Sequence, residues 1–379
     1  MAEKQILLIC GEASGDLNAA NLAKEILKLD PEIKISAVGG EELRRAGAEI
    51  IYDIKDLSVI GLFDVLKKLP HFFALKDFIL TKIKEKKPDC LIFVDFSGFN
   101  LRLAKSINKS IPTIYYISPQ VWASRPGRIK TIKKFISRII VLFKFEEEFY
   151  KEQGINVDFV GHPLLDIVKP TMDKKEFLRQ FNLSTGKTTI ALLPGSRKSE
   201  VRDILPLMLK SATLIEKQLK NVQFVIAKSP NVDWEIYIRE TKGFNSNLEI
   251  IEGKTYDCLN VADFALVASG TATLETAIMQ KPFAVIYKMG LLNYLLYRPQ
   301  VKVPFIGMVN IVADKLIVPE FIQFAASPKK ISEFALRILK KPQEAEQMKK
   351  DLASVKSLLG EKGAAFRAAK IVSGVLSTS

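Results

Sequence analysis

Residues 7–27 read LLICGEASGDLNAANLAKEIL. A short apolar run enters a glycine-containing loop, and a helical pattern follows. Strand, loop, helix is how a doubly wound parallel sheet begins. Gly11 and Gly15 are four apart and do not form G-x-G-x-x-G, so a dinucleotide fingerprint is excluded. The helix start still offers free N–H groups and a positive dipole end, which suit an anion. Ser14 or Asp16 could instead cap the helix. Capping alone does not explain why Glu12 and Asp16 flank the turn.

The same alternation continues outward. KISAVGG, DCLIFVDF, TIYYIS, RIIVLF and DFVGHP read as strands, with helical patterns between them. The helical segment VIGLFDVLKKLPHFFALKDFILTKIKEKK reads as broken near Pro70. Continuous apolar strands alternating with amphipathic helices mean a parallel sheet covered on both faces. After the polar stretch VKPTMDKKEF a second series begins, with strands in TTIALLPGS, QFVIAKS, LEIIEG, FALVAS and PFAVIYK and a helix from PLMLKSATLIEKQLK. The expected organisation is α/β: two Rossmann-like doubly wound domains facing a cleft, over residues 1–168 and 169–345. A helical tail, 346–379, would return to the N-terminal domain or exchange with a partner subunit, which leaves a homo-oligomer open. A length of 379 residues suits two domains, since single cores stop growing near about 300 residues.

Apolar content of 48% and charged content of 26% are ordinary, but the net charge of +14 is not. It suits an anionic membrane or acidic substrates, or a Lys-rich proteome. With 43 Lys against 13 Arg, the balance argues against a reader of nucleic acid, for which Arg is favoured. Cys10, Cys90 and Cys258 lack metal-ligand spacing and fit a reducing compartment. Two histidines, His71 and His162, make a His-rich metal site unexpected. MAEKQILLIC has too short an apolar run for a signal peptide, and no uncharged stretch approaches the roughly 20 residues of a membrane span. The expectation is a cytosolic protein, or one attached to a membrane from the cytosol.

Four loops follow strands, where a doubly wound sheet binds ligands. GEASGD is the first. In FVDFSGFN, Asp95 ends an apolar strand; partial desolvation would raise its pKa and let it act as a base, or it caps the next helix. In LLPGSRKSE, Gly195, Ser196 and Arg197 suit a diphosphate, although Glu200 stands three residues on and can pair with Arg197. In ASGTATLE, Ser269, Gly270 and Thr271 open a helix as a second phosphate cradle, and Glu275 can accept from ribose hydroxyls; a plain cap with a solvent Glu is the alternative. Two phosphate-type loops in one domain, with no G-x-x-x-x-G-K-[ST], point to a nucleotide-sugar enzyme rather than a P-loop NTPase.

At these residues the chain resembles the lipid-A-disaccharide synthases. GEASGD, VDFSGFN, ISPQVWA, VGHPL, LLPGSRKSEV, ASGTATLE and VPEFIQ carry the resemblance, in order along the chain. It implies the B-type glycosyltransferase fold, with UDP in the C-terminal domain and acceptor in the N-terminal one. It implies an inverting transfer from UDP-2,3-diacylglucosamine to 2,3-diacylglucosamine 1-phosphate, giving a β-1,6-linked disaccharide 1-phosphate and UDP. Asp95 then looks like the general base, Ser196 and Arg197 like diphosphate ligands, Gly270 and Thr271 like phosphate contacts and Glu275 like the ribose contact. Asn310 falls where the family has a functional Asn. Ser14, Gly15 and Asp16 become acceptor-side residues near the sugar or its phosphate. Two departures stand out. Gly98 replaces a second Asp that the family often has, and ISPQVWASRPGR lacks a second Trp after its Ala. No metal or other cofactor is expected, since Arg197 and helix dipoles can carry the charge of the leaving UDP.

Acylated substrates require a membrane surface. Residues 59–79 place Leu62, Phe63, Leu66, Leu69, Phe72 and Phe73 among lysines, which suits a helix lying on anionic lipid at the inner face of the inner membrane. An ordinary core helix is the competing reading. For the whole chain, the competing functions are an isomerase like UDP-N-acetylglucosamine 2-epimerase and a non-catalytic nucleotide-sugar or lipid binder.

Overall fold

The structure is a computed structural model that describes residues 4–57, 69–290, 294 and 303–377. The chain divides into two units, residues 1–163 with 359–379, and residues 164–358.

Unit one holds a seven-stranded parallel sheet. Its strands are β1 (Gln5–Ile9), β2 (Lys34–Gly39), β3 (Glu49–Asp53), β4 (Cys90–Val94), β5 (Thr113–Tyr116), β6 (Arg138–Val141) and β7 (Val157–Phe159), in the order β3-β2-β1-β4-β5-β6-β7. Ile6 through Ile9 and all of β4 are buried, as expected for strands with helices on both faces. Order reverses where β1 meets β4, with Ile9 beside Phe93. Both GEASGD and FVDFSGFN leave the sheet at this switch point, so the topology opens a crevice between them.

Unit two repeats the plan with six parallel strands, β8 (Thr188–Leu193), β9 (Val222–Lys228), β10 (Leu248–Glu252), β11 (Phe264–Ala268), β12 (Phe283–Tyr287) and β13 (Glu320–Ile322), ordered β10-β9-β8-β11-β12-β13. Its reversal falls between β8 and β11, with Leu193 beside Val267. PGSR and SGT leave the sheet there.

Two details differ from the expectations. The helix after β8 spans Lys198–Gln218 and contains Pro206, rather than beginning at that proline. Its true start is set by Glu200, described below. The polar stretch before β8 contains a helix, Lys174–Gln180, because the Asp173 side chain accepts from the N–H groups of Lys175 and Glu176. Helix Leu69–Lys86 is described from the residue before Pro70, and the stretch in which the expected break would fall, 58–68, lies outside the described residues.

The expected 346–379 tail is split between the units. Helix Pro342–Leu358 packs within unit two, whereas helix Ala364–Ser377 lies on helix Ala13–Leu29 in unit one. Its Ala364, Ala368, Ala369 and Val372 are buried, and so are Ala19, Ala20 and Ala23 of the other helix, so small side chains let the two approach. The return is stapled by Arg367, whose guanidinium donates to the carbonyls of Val160, Lys362 and Glu361.

Candidate active site

In unit one the two switch-point loops interlock. A β-carbon on Gly11 would lie 2.2 Å from Cγ of Phe96, so only glycine lets that ring lie across the GEASGD loop. Phe96 stacks on Phe99 at 5.1 Å and meets Phe72 at 6.1 Å. Asp95 and Phe96 both adopt left-handed backbone, with φ of 49° and 48°. That conformation is uncommon for such residues and needs to be held. The Asp95 carbonyl accepts from the Tyr115 hydroxyl at 2.6 Å and from Nδ2 of Asn100 at 2.9 Å. These bonds fix the turn that aims the carboxylate.

The Asp95 carboxyl is half-buried, and burial pushes its pKa up to about 6, helped by the negative charge of Glu12 and a hydrogen bond between the two side chains. Such a group is poised as a base near neutral pH. Glu12 is the residue that the sequence did not assign. Its only signal there was its position beside the turn, because its partner stands 83 positions away.

Asp16 is placed otherwise than expected. It is 4% exposed, and its carboxylate accepts from the N–H groups of Gly40 at 2.7 Å, Glu42 at 2.9 Å and Leu43 at 3.4 Å. It caps the distant helix Glu41–Arg45. A β-carbon on Gly40 would stand 2.8 Å from Asp16 Oδ2, which explains the glycine opposite it. Gly15 is buried and lets the helix approach Cys10. Ser14 remains exposed on a first turn that has no side-chain cap. Gly98 has open space around it, since a β-carbon there would meet nothing within 4 Å.

In unit two Gly195 has φ 112°, and a β-carbon there would collide with Glu200. Glu200 bends back on the loop. Its Oε2 accepts from Ser196 N at 3.0 Å and Arg197 N at 3.3 Å, and its Oε1 from Arg197 Nη1 at 2.9 Å. A carboxylate thus occupies the N–H groups that a diphosphate would use. The Arg197–Glu200 pair is an exposed i,i+3 contact, worth only a few tenths of a kcal/mol. A charge-assisted fork to phosphate is stronger and can displace it.

Gly270 has φ 145° and opens helix Thr271–Ile278, whose start lacks a side-chain cap. Gly270 and Thr271 are exposed, and Ser269 Oγ donates to the Ile306 carbonyl at 3.2 Å. Burial raises the Glu275 pKa, and its Oε1 accepts from the Tyr256 hydroxyl at 2.9 Å. Tyr256, which the sequence did not single out, orients this carboxyl.

Asn310 also departs from the expectation. It is fully buried; Nδ2 donates to Val318 O and Glu320 Oε1, and Oδ1 accepts from Ile317 N and Val318 N. All four of its hydrogen-bonding places are used within the protein. Glu320 continues the frame to the N–H groups of Ile306 and Gly307. Asn310 thus braces the loop beside Ser269.

Leu62, Phe63 and Leu66 lie outside the described residues, as does the side chain of Leu69. Phe72 is half-buried against Phe96 and Phe99, while Phe73 is 55% exposed with Lys76 Nζ 5.9 Å from its ring centre. Leu75 and Ile79 form the inward face of the same helix. The described part of the segment thus has one buried face and one exposed face. Among the described residues no group of three or more His, Cys, Asp or Glu is placed to hold a metal ion.

Residues 6–372 match the family model for lipid-A-disaccharide synthetase. A lipid-A-disaccharide synthase of Syntrophus aciditrophicus is 43% identical over 372 residues, 97% of each chain. One from Geobacter sulfurreducens is 37% identical over 373 residues, 97% of this chain and 96% of that protein. Among solved structures, a putative UDP-N-acetylglucosamine 2-epimerase of Listeria monocytogenes superposes with a TM-score of 0.66 at 13% identity, covering 100% of this chain and 98% of that one. The Neisseria meningitidis UDP-GlcNAc 2-epimerase, bound to UDP-GlcNAc, gives 0.60 at 14% identity, covering 99% and 100%. At such identities the epimerases share the fold alone. The chain belongs to the lipid-A-disaccharide synthase family and is a glycosyltransferase that forms the lipid A disaccharide.

Proposed function

We propose that the donor is UDP-2,3-diacylglucosamine and the acceptor 2,3-diacylglucosamine 1-phosphate. Asp95 takes the proton of the acceptor 6-hydroxyl. The oxygen attacks the donor's anomeric carbon from the face opposite UDP, the new β-1,6 bond forms, and the bond to the diphosphate breaks. UDP leaves with the negative charge, met by Arg197, by the Ser196 N–H and by the helix start at Gly270–Thr271. Glu275 accepts from the ribose. Ser14 lies on the acceptor side.

The observation that carries this reading is the Asp95 carboxyl, half-buried at a sheet switch point and held near a pKa of about 6. The test is incubation with UDP-diacylglucosamine, with and without the acylated sugar 1-phosphate. UDP release that needs both substrates is expected. Conversion of the donor alone would instead support an epimerase. Asp95→Asn should lose turnover by about 10²–10⁴-fold and keep UDP binding.

The same substrates place the protein at the cytoplasmic face of the inner membrane. Among the described residues no helix is long and apolar enough to cross a membrane. Phe73 and Lys76 suit shallow contact with anionic lipid. Phe73→Ser is expected to weaken co-flotation with phosphatidylglycerol vesicles; unchanged flotation would remove this contact.

A further inference from the structure

Helix Ser97–Ile107 begins two residues after Asp95. Ser97 Oγ accepts a 2.8 Å hydrogen bond from Nη1 of Arg128, which opens helix Arg128–Phe135. Arg128 is half-buried, and Arg125 and Arg102 both lie close enough to act on its charge. So does Tyr115, the residue that holds the Asp95 carbonyl. A turn through Pro126 and Gly127, closed by Arg128 N on Arg125 O at 3.1 Å, keeps the two arginines together.

These three guanidiniums share an unusual condition. The other arginines of unit one are all matched: Arg44 and Arg45 pair with Glu41, Arg138 pairs with Asp158, and Arg367 is spent on backbone carbonyls. Among the described residues, Arg102, Arg125 and Arg128 have no carboxylate ion-pair partner. Like charges gathered without a counter-ion repel one another, and burial of one of them adds to the cost. An anion bound among them would relieve both.

We infer that Ser97, Arg102, Arg125 and Arg128 form the site for a phosphate monoester, the 1-phosphate of the acceptor sugar. The assignment rests on the acceptor proposed above. Guanidinium forks match phosphate oxygens, and the Ser97 hydroxyl can donate to a fourth contact. In that acceptor a single sugar ring separates the 6-hydroxyl from the phosphate. Asp95 and Ser97 stand at either side of one turn, so a ring presenting its hydroxyl to Asp95 brings its phosphate toward Arg128. The site would then select a phosphorylated acceptor and set its direction.

The test compares transfer from UDP-diacylglucosamine to acceptors with and without the 1-phosphate, using the full-length protein. Arg125→Met/Arg128→Met is expected to raise the KM for the phosphorylated acceptor by about 10- to 100-fold, the loss of a charge-assisted contact. Preference over the unphosphorylated acceptor should shrink in step, while UDP affinity by calorimetry is unchanged. Arg128→Lys should recover part of the effect. If the double variant melts early, Arg125→Met alone, at an exposed position, carries the same expectation on a smaller scale. A preference that survives in these variants overturns the assignment. Should wild-type protein transfer to neither acceptor, the acceptor reading fails. Titration with glucosamine 1-phosphate then decides the site: binding lost in the double variant supports it, and equal binding rejects it.

Discussion

Gly11 and Phe96 lie in loops that are 85 positions apart, and the ring of one occupies the space that any side chain on the other would need. The contact locks the loop after β1 to the loop after β4, so the proposed base, Asp95, sits in a loop held by a residue on another strand. Gly11→Ala must push Phe96 off its stack with Phe99. It is expected to cost about 1–3 kcal/mol of stability, the usual cost of overpacking. Turnover should fall further than stability explains, while UDP affinity stays at the wild-type value. Chemical denaturation and calorimetry check the two parts.

A base works deprotonated, so kcat/KM should rise with pH through about 6 and level off above. Glu12 raises the Asp95 pKa by its charge. Glu12→Gln removes that charge, and the acid limb should move to lower pH. A limb that stays put in this variant would separate Glu12 from the titration.

Tyr115→Phe removes the hydroxyl that holds the left-handed turn at Asp95. The carboxylate stays chemically intact but loses its fixed aim. The expected loss is about ten- to a hundredfold in kcat, since small misplacements of a reacting group are costly. UDP affinity should not change.

Arg197→Lys keeps the charge and loses the fork. UDP affinity should fall by about tenfold, as for other charge-assisted contacts. The melting temperature should hardly move, because the Arg197–Glu200 pair is exposed and contributes little. A large drop in melting temperature would show that the loop depends on the pair after all.

Asn310→Ala strands two backbone N–H groups, a carbonyl and the Glu320 carboxylate. A destabilisation of roughly 2–4 kcal/mol is expected, from several unsatisfied buried groups. Asn310→Asp should also destabilise, because a carboxylate facing Val318 O and Glu320 has no proton to give. A variant of normal stability but impaired UDP binding would return Asn310 to the ligand.

Much of the architecture was legible locally. Short apolar runs such as LLI, CLIFV and FALVA fit strands buried on both faces, and each leads into a loop with glycine, serine or a carboxylate. Asp95, Arg197 and Gly270 were expected just after strands, where such sheets bind ligands, and they lie just after β4, β8 and β11. What stayed hidden are pairings across long separations. Glu12 with Asp95, Tyr256 with Glu275 and Arg128 with Ser97 depend on which strands become neighbours, and no local pattern records that. Asp16 and Asn310 show the converse. Their residue types suit a ligand, but tertiary structure spends Asp16 on the N–H groups of a distant helix and Asn310 on the Ile317–Glu320 segment. The order of strands and helices, and the chemical type of each loop, were settled by hydrophobic period and turn residues. Which polar side chains remain free to act was settled by folding, because a buried hydrogen-bonding group must first be satisfied by whatever the sheet order places beside it.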